Sequence, residues 1–406
     1  MTGAAFNGDL SNERAEAAPA AGESQPVQPG RFRGFDGLRA LAVLIVFVHH
    51  LDPDRLPGGV LGVTLFFSLS GFLITRLLLS EHQRLGGINL RRFYLRRLLR
   101  LMPALVAMVA VTLVASVFVG NGETLGDAWP ALTYLSDFVF PLRDSWGGVY
   151  GHTWSLSVEE QFYLIWPAVL VVGLARRWRL RLIVILAAAG CVGLTVLTTL
   201  NPDPQTLINA YRLPHTHLPI MFCGILLAFA THEGLNERAR RFFSRRFLAM
   251  WILALLAVCC LLLPDGLLAL YRSGWLLAGV VLTVLVGHVV TDQDGPLVRL
   301  LSVRPARWLG ERSYGFYLWH YPVILLLKPE LGGSVPLLVA CSLTVTLVLT
   351  EASWRMVERP FNRLKRRYEP ARAVRASLSP ERSRAAYAEL GAVASAAQAA
   401  LPSRLT

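Results

Sequence analysis

The sequence predicts an all-α polytopic membrane protein: a bundle of about ten transmembrane helices with both termini in the cytoplasm. Of its 406 residues, 54% are hydrophobic and only 17% are charged, and the mean hydropathy is +0.46. Soluble domains contain about 25% charged residues, so this composition is typical of a chain that exposes much of its surface to lipid. The apolar residues also fall into long runs, separated by Pro, Gly or Arg.

Ten of these runs have about the length that a membrane-spanning helix needs. The predicted spans are 36–55, 58–80, 95–120, 155–175, 180–200, 214–232, 247–263, 267–290, 313–330 and 334–357. One more apolar patch, at 129–140, is too short to cross, so we expect it to re-enter the membrane or to lie at its surface.

The basic residues predict the orientation of the spans. With the N-terminus inside, 29 of the 40 Lys and Arg residues fall at the inner ends of the spans and five on the outer side. This asymmetry follows the positive-inside rule and predicts a multi-pass protein of the plasma (inner) membrane. It also explains the net charge of +13, which in a soluble protein would suggest nucleic-acid binding.

The chain divides into one membrane domain and two tails. Residues 1–33 are rich in Ala, Gly and Pro and lack a basic segment joined to an apolar core, so we expect a disordered cytoplasmic tail without a cleavable signal. The membrane domain covers 34–360, and 361–406 form a basic, Ala-rich cytoplasmic tail. The five cysteines lie in apolar runs without Cys-x-x-Cys spacing, so we expect neither disulfides nor a metal site.

The first span contains the most informative polar pair, Arg39 and His50. Eleven residues are close to three helical turns, so both side chains lie on one stripe, about 16 Å apart along the axis. His49 points toward a different neighbour. An ionisable pair in a lipid-embedded helix is costly unless it faces polar groups or water. Two interpretations remain open: a histidine satisfied by packing in the bundle, or a catalytic histidine with a cation below it.

Two further spans carry polar groups with two interpretations each. Ser70 lies among small residues in the second span, which indicates close helix packing or a hydroxyl that lines a cavity. Arg97 and Arg100, at the inner end of the third span, lie on one face of a helix. They are either ordinary positive-inside anchors or a clamp for the phosphates of a cytosolic donor.

The predicted fourth span begins at the outer side with adjacent carboxylates, Glu159 and Glu160, which are hard to explain as lipid-facing residues. We expect one of them to pair with a histidine or an arginine, because a carboxylate that orients an imidazole is common in general-base sites. In the ninth span, Tyr317 and His320 share a face. They are either part of an aromatic belt or accessory acid–base groups.

Taken together, five segments resemble the acyltransferase-3 family of integral membrane O-acyltransferases. In chain order they are FDGLRALAVLIVFVHH, FFSLSGFLI, RRFYLRRLLRLMPAL, HTWSLSVEEQFYLIWP and RSYGFYLWHYP. They extend over nearly the whole chain outside the tails. Five motifs in the family order are specific, although any single one would not be.

The resemblance implies that 34–360 is an acyltransferase domain. Such a domain moves an acyl group, usually acetyl from acetyl-CoA, to a hydroxyl of a cell-envelope or secreted acceptor. The Arg-x10-His motif of the family falls on Arg39 and His50, and its Arg-x-x-Arg motif falls on Arg97 and Arg100. The carboxylate of its W-S-L-x-V-E segment falls on Glu159.

Two features of the chain depart from the family pattern. Asp137 stands where similar proteins often carry Asn, and we assign it no role. Some members also carry a C-terminal periplasmic esterase-like domain. We see none in this sequence, so we expect acceptor selection or final transfer to occur in the bundle or in a partner protein.

These observations lead to a hypothesis with defined roles. Acyl-CoA binds at the inner side through Arg97 and Arg100, with Arg39 as a further candidate for its phosphates. His50 removes the proton of a carbohydrate or glycoside hydroxyl, supported by Glu159, and Arg39 is also counted in the catalytic group. Ser70, Glu160, Tyr317 and His320 are accessory candidates.

Two alternatives stay open. His50 itself carries the acyl group in one of them. In the other, the protein is a transporter or flippase for an anionic or acylated solute, without chemistry. The sequence identifies neither the acceptor, the acyl chain, the oligomeric state nor the pathway.

Overall fold

The structure is a computed structural model that describes residues 32–119, 123–200, 203–262 and 275–365. Within these ranges every regular element is a helix, which confirms the predicted all-α class. The predicted tails at 1–33 and 361–406 lie almost entirely outside the described residues.

A long helix occurs at each of the ten predicted positions, and shorter helices connect them. The long helices are α1 (Phe35–Leu51), α2 (Leu61–Leu85), α3 (Leu90–Val119), α6 (Thr153–Ala175), α7 (Leu180–Thr199), α9 (Pro214–Glu233), α11 (Arg246–Leu262), α12 (Trp275–Thr291), α15 (Ser313–Leu331) and α16 (Val335–Ser353). The short helices are α4 (Glu123–Leu132), α5 (Ser136–Leu142), α8 (Pro204–Arg212), α10 (Glu237–Phe243), α13 (Pro296–Leu301), α14 (Arg304–Glu311) and α17 (Arg359–Lys365).

Not all of the long helices are sufficient by themselves to cross a bilayer. Among the described residues, six are long and apolar enough, and α11 becomes a seventh if it forms one bent span with α10. Helices α1 and α12 have only 17 residues each, or about 25 Å of helix. The count of ten spans and the side on which each terminus lies therefore stay predictions.

The apolar patch at 129–140 does not form a spanning helix. It is divided between α4 and α5, and the chain breaks between them at Tyr134, whose φ of 55° is left-handed. Both helices are too short to cross a bilayer. They place Ser136 against Thr153 at the start of α6, with 2.8 Å between the hydroxyl oxygens.

Helices α2 and α9 pack in direct backbone contact, which fixes the position of Ser70. A Cβ added to Gly71 would overlap the carbonyl of Met221, and one added to Gly224 would overlap the carbonyl of Ser68. Small residues in this part of α2 therefore serve close packing, as one interpretation of the sequence held. Ser70 also lines an internal cavity. Within one helical turn, α2 therefore has residues that pack closely against α9 and a hydroxyl that faces a cavity.

Candidate active site

Two cavities lie along α1, and we name them by its two ends. The inner cavity lies at the Arg39 end and has a volume of about 100 Å³, whereas the outer cavity lies at the His50 end and has about 710 Å³. Val63 and Tyr317 line both, so these two side chains form the wall between them. The polar residues of the inner cavity are Arg39, Ser70, Arg97, Arg100, Ser155, Glu159, Tyr163, Ser313, Tyr314 and Tyr317. Those of the outer cavity include His50, Asp54, Trp146, His152, Trp154, Tyr211, Arg212 and Tyr321.

His50, which lines the outer cavity, is paired with a second histidine, His320. His50 Nδ1 lies 2.9 Å from His320 Nε2, and His320 Nδ1 lies 2.6 Å from the carbonyl oxygen of Tyr317. A carbonyl only accepts, so His320 carries its proton on Nδ1 and, when neutral, accepts at Nε2. His50 Nδ1 must then be the donor. The neutral His50 ring is left with a lone pair on Nε2, which is the atom that a general base or a nucleophile needs.

Helix α6 begins beside this pair with a histidine that sequence reasoning missed. His152 is 2% exposed, and its ring centroid lies 5.1 Å from that of Tyr321 and 5.6 Å from that of His320. Neither of its ring nitrogens makes a hydrogen bond of normal geometry. The available signal was its position directly before the Thr-Trp-Ser segment.

Glu159 does not contact His50 in the structure, although the sequence led us to expect it beside that ring. Its carboxylate accepts a short hydrogen bond from Ser70 Oγ and a longer one, at 3.4 Å, from the phenol of Tyr163. It lines the inner cavity, whereas the ring partner of His50 is His320. The reason is geometric. Glu159 lies nearly two helical turns after the start of α6, and this places it at the inner cavity and not beside the histidine pair.

Glu160 is the carboxylate that finds a charged partner. Arg97 donates to it from Nε at 3.1 Å and from Nη2 at 2.7 Å, which is the bidentate arrangement typical of arginine and carboxylate. The guanidinium also lies over the ring of Tyr163, 3.1 Å from its centroid. The expected pairing of one glutamate with an arginine is therefore present. However, it also means that Arg97 already has its counter-ion.

The two other arginines of the inner cavity differ from Arg97 in this respect. Among the described residues, no carboxylate oxygen lies within 4 Å of the guanidinium of Arg39 or Arg100. Both line the inner cavity, and Arg100 is exposed. Two guanidinium groups without a direct ion pair in one cavity can attract a polyanion.

Tyr317 lies between the two cavities and is fixed on both sides. Its phenol donates to the carbonyl of His152 at 2.9 Å and lies 2.7 Å from Ser155 Oγ, while its own carbonyl accepts from His320. Helix α15, which carries it, is tied to α16 by the ion pair of Arg312 with Glu351 at 2.7 Å.

The chemistry available here is proton transfer or nucleophilic attack by His50, with anion binding on the inner side. Within the described part of the chain, no three His, Cys, Asp or Glu side chains are placed to hold a metal ion.

Arg212 and Tyr321 in the outer cavity are further residues that sequence reasoning did not select. Tyr321 follows His320 directly, and its ring centroid is 4.7 Å from that of His50.

Comparison with known proteins identifies the class to which this fold and site belong. The acyltransferase domain family matches residues 32–352, so the chain belongs to this family of membrane acyltransferases, as the resemblance implied. No solved structure matches.

Several curated relatives are similar over about four fifths of this chain. A peptidoglycan O-acetyltransferase of Listeria monocytogenes is 33% identical over 81% of this chain and 55% of its own length. A putative peptidoglycan O-acetyltransferase of Bacillus subtilis is 36% identical over 80% and 54%, and an O-acetyltransferase of Staphylococcus aureus is 29% identical over 82% and 58%. The chain thus spans a little over half the length of these curated relatives.

Proposed function

We propose that this protein is a membrane O-acetyltransferase that moves an acetyl group from acetyl-CoA at the inner cavity to a hydroxyl of a cell-wall carbohydrate at the outer cavity. The observation that carries the proposal is the histidine pair. His320 fixes the tautomer of His50, and the free Nε2 of His50 belongs to a side chain that lines a large outer cavity. The names of the relatives support acetyl as the group and cell-wall carbohydrate as the acceptor.

The donor binds through arginines at the inner side. Coenzyme A carries a diphosphate and a further phosphate, and phosphate oxygens accept charge-assisted hydrogen bonds from guanidinium. Arg39 and Arg100 are without carboxylate partners in the described residues, so we assign them the phosphates. Arg97 was predicted to share this role. Because Glu160 neutralises it, we assign Arg97 to holding Tyr163 and the wall of the inner cavity.

Transfer requires the thioester to pass the wall formed by Val63 and Tyr317. The acceptor hydroxyl then loses its proton to His50 Nε2 while its oxygen attacks the carbonyl carbon of the thioester. The carbon–sulfur bond breaks, and the proton on His50 passes to the thiolate, which leaves as coenzyme A. While His50 is protonated, its Nδ1–H bond to His320 is charge-assisted and therefore stronger.

The alternative in which His50 is acetylated uses the same Nε2 atom. In that case, acetyl-CoA without acceptor leaves one equivalent of acetyl group on His50, released as the acceptor is added. In the general-base scheme the protein stays unmodified until acceptor is present. Incubation with radiolabelled acetyl-CoA, followed by peptide mapping at neutral pH, separates the two mechanisms.

Thiol release from acetyl-CoA by the purified protein in detergent tests the proposed reaction. His50→Gln is expected to reduce acceptor-dependent thiol release at least about 100-fold, the lower range of a general base. His288→Gln is the control for loss of a histidine elsewhere in the bundle, because His288 is buried, is bonded to the backbone carbonyl of Phe243 at 2.7 Å, and lines neither cavity. Full activity of His50→Gln would refute the assignment, and a wild-type protein that moves solute without releasing thiol would favour the transporter.

Variants of the inner arginines test donor binding separately from chemistry. Arg100→Gln is expected to raise the KM for acetyl-CoA about 10-fold and to leave kcat within a factor of three, because a charge-assisted hydrogen bond contributes about 1.5–3 kcal/mol and Arg100 is partly solvated. Arg92→Gln, an exposed arginine two turns earlier on α3, is the control for loss of one positive charge. A normal KM with low kcat in Arg100→Gln would contradict the donor assignment.

A further inference from the structure

The outer cavity contains a buried arginine for which neither the family motifs nor the reaction above has a use. Arg212, the last residue of α8, is only 1% exposed. Its Nη1 donates to the carbonyl of Ser145 at 2.7 Å and its Nη2 donates to Asn209 Oδ1 at 2.7 Å. Its guanidinium carbon lies 4.7 Å from the ring centroid of Trp146. The group is therefore held rigidly in the cavity wall.

This guanidinium retains its charge and part of its hydrogen-bonding capacity. Nε is buried and has no partner, and no carboxylate oxygen of the described residues lies within 4 Å. The acid nearest in the network, Asp144, accepts from the amide of Asn209 at 2.6 Å and is thus one residue removed. The charge of Asp144 acts on the guanidinium only through space, and a preorganised guanidinium in a cavity wall without a direct ion pair is what an anionic ligand requires.

The rest of the cavity fits a sugar ring. Trp146, Trp154 and Tyr211 supply flat aromatic faces, and His152 has no hydrogen bond of normal geometry at either ring nitrogen. Pockets for small polar ligands combine such apolar faces with a few placed polar groups. Asp54, which is exposed, also lines the cavity. Its carboxylate can accept hydrogen bonds from hydroxyl groups, and its negative charge disfavours the binding of multiply charged anions.

We propose that the outer cavity binds an acidic sugar whose carboxylate pairs with Arg212 while one of its hydroxyls approaches His50 Nε2. This inference rests on the proposed function and names its acceptor class. A carboxylate fits better than a diphosphate, because a single guanidinium compensates a single charge and Asp54 lines the same cavity. The neutral sugar of the same shape would leave Arg212 without a direct ion pair and would bind less tightly.

The test compares two acceptors that differ in one group: the methyl glycoside of N-acetylmuramic acid and its carboxamide. The wild-type protein is expected to prefer the acid by about 10- to 100-fold in kcat/KM, the range of one charge-assisted hydrogen bond. Arg212→Gln is expected to reduce this preference to near one, and Arg212→Lys to an intermediate value. Arg143→Gln is the matched control: Arg143 also lies on the outer side over a tryptophan, at 5.6 Å from the centroid of Trp129, but outside the cavity.

Three results would overturn the inference: no preference for the acid in the wild type, an unchanged preference in Arg212→Gln, or a stronger preference for a sugar phosphate. If Arg212→Gln does not fold, the wild-type comparison of acid and carboxamide decides alone. If no thiol is released with any acceptor, the proposed function fails. Calorimetric titration with the acid and the carboxamide then still measures whether Arg212 selects a carboxylate.

Discussion

Replacement of His320 tests whether the orientation of the His50 ring matters for the proposed reaction. His320→Phe keeps a planar ring of similar size but removes the Nε2 acceptor that lies 2.9 Å from His50 Nδ1. A buried donor that loses its acceptor costs about 1–3 kcal/mol. If this free energy is lost from the conformation in which His50 Nε2 faces the acceptor hydroxyl, kcat is expected to fall about 5- to 150-fold. The KM for acetyl-CoA is expected to stay within a factor of three, because we assign the donor phosphates to the inner cavity.

His320→Gln separates positioning from packing. The glutamine side chain can place an acceptor oxygen near the position of His320 Nε2, so it is expected to recover part of the activity that His320→Phe loses. Both variants are assayed by acceptor-dependent thiol release, together with the melting temperature in detergent and His288→Gln as the control for losing a buried histidine. Wild-type kcat in His320→Phe, or equal activity of the two variants, would refute the tautomer argument.

The remaining predictions concern the frame of the site. Arg97→Gln is expected to lower the free energy of unfolding by about 1–3 kcal/mol, less than for a fully buried pair, because Arg97 and Glu160 are 16% and 18% exposed. Arg97→Gln combined with Glu160→Gln should recover most of that loss; if it does not, the ion pair is not the cause. Gly71→Val is expected to cost about 1–3 kcal/mol by forcing α2 away from Met221 on α9. Its melting temperature, compared with that of Gly190→Val at an open position on α7, measures this effect.

The length and hydropathy of the apolar runs predicted the bounds of two of the described long helices closely. The run at 180–200 became Leu180–Thr199 and the run at 214–232 became Pro214–Glu233. Errors occur where a helix end lies outside the apolar run. Helix α3 begins at Leu90 instead of 95, where the side chain of Asn89 accepts from the backbone N–H of Arg92 at 2.9 Å. Hydropathy does not detect such a polar helix start.

Helix periodicity predicted which face a residue occupies but not the partner across the interface. Arg39 and His50 were placed on one stripe of α1, and the structure puts them at two cavities along that helix. The partner of His50 depends on how far α6 and α15 slide along α1, which no local pattern records. For this reason Glu159 was expected beside His50, although His320 occupies that position. Arg212 was missed because an arginine at a predicted outer loop resembles any solvated cation.

The distribution of unpaired charge connects the two cavities to the two ligands. Of the four arginines that line them, only Arg97 has a carboxylate within 4 Å among the described residues. Cations near lipid without counter-ions raise the free energy of the empty protein, and an anionic ligand removes that cost on binding. Arg39 and Arg100 therefore match a donor with several phosphates, whereas Arg212 alone matches an acceptor with one negative charge. If both proposals hold, coenzyme A and the acidic sugar each stabilise the fold from their own side. Their thermal shifts should then add, since the cavities share only Val63 and Tyr317.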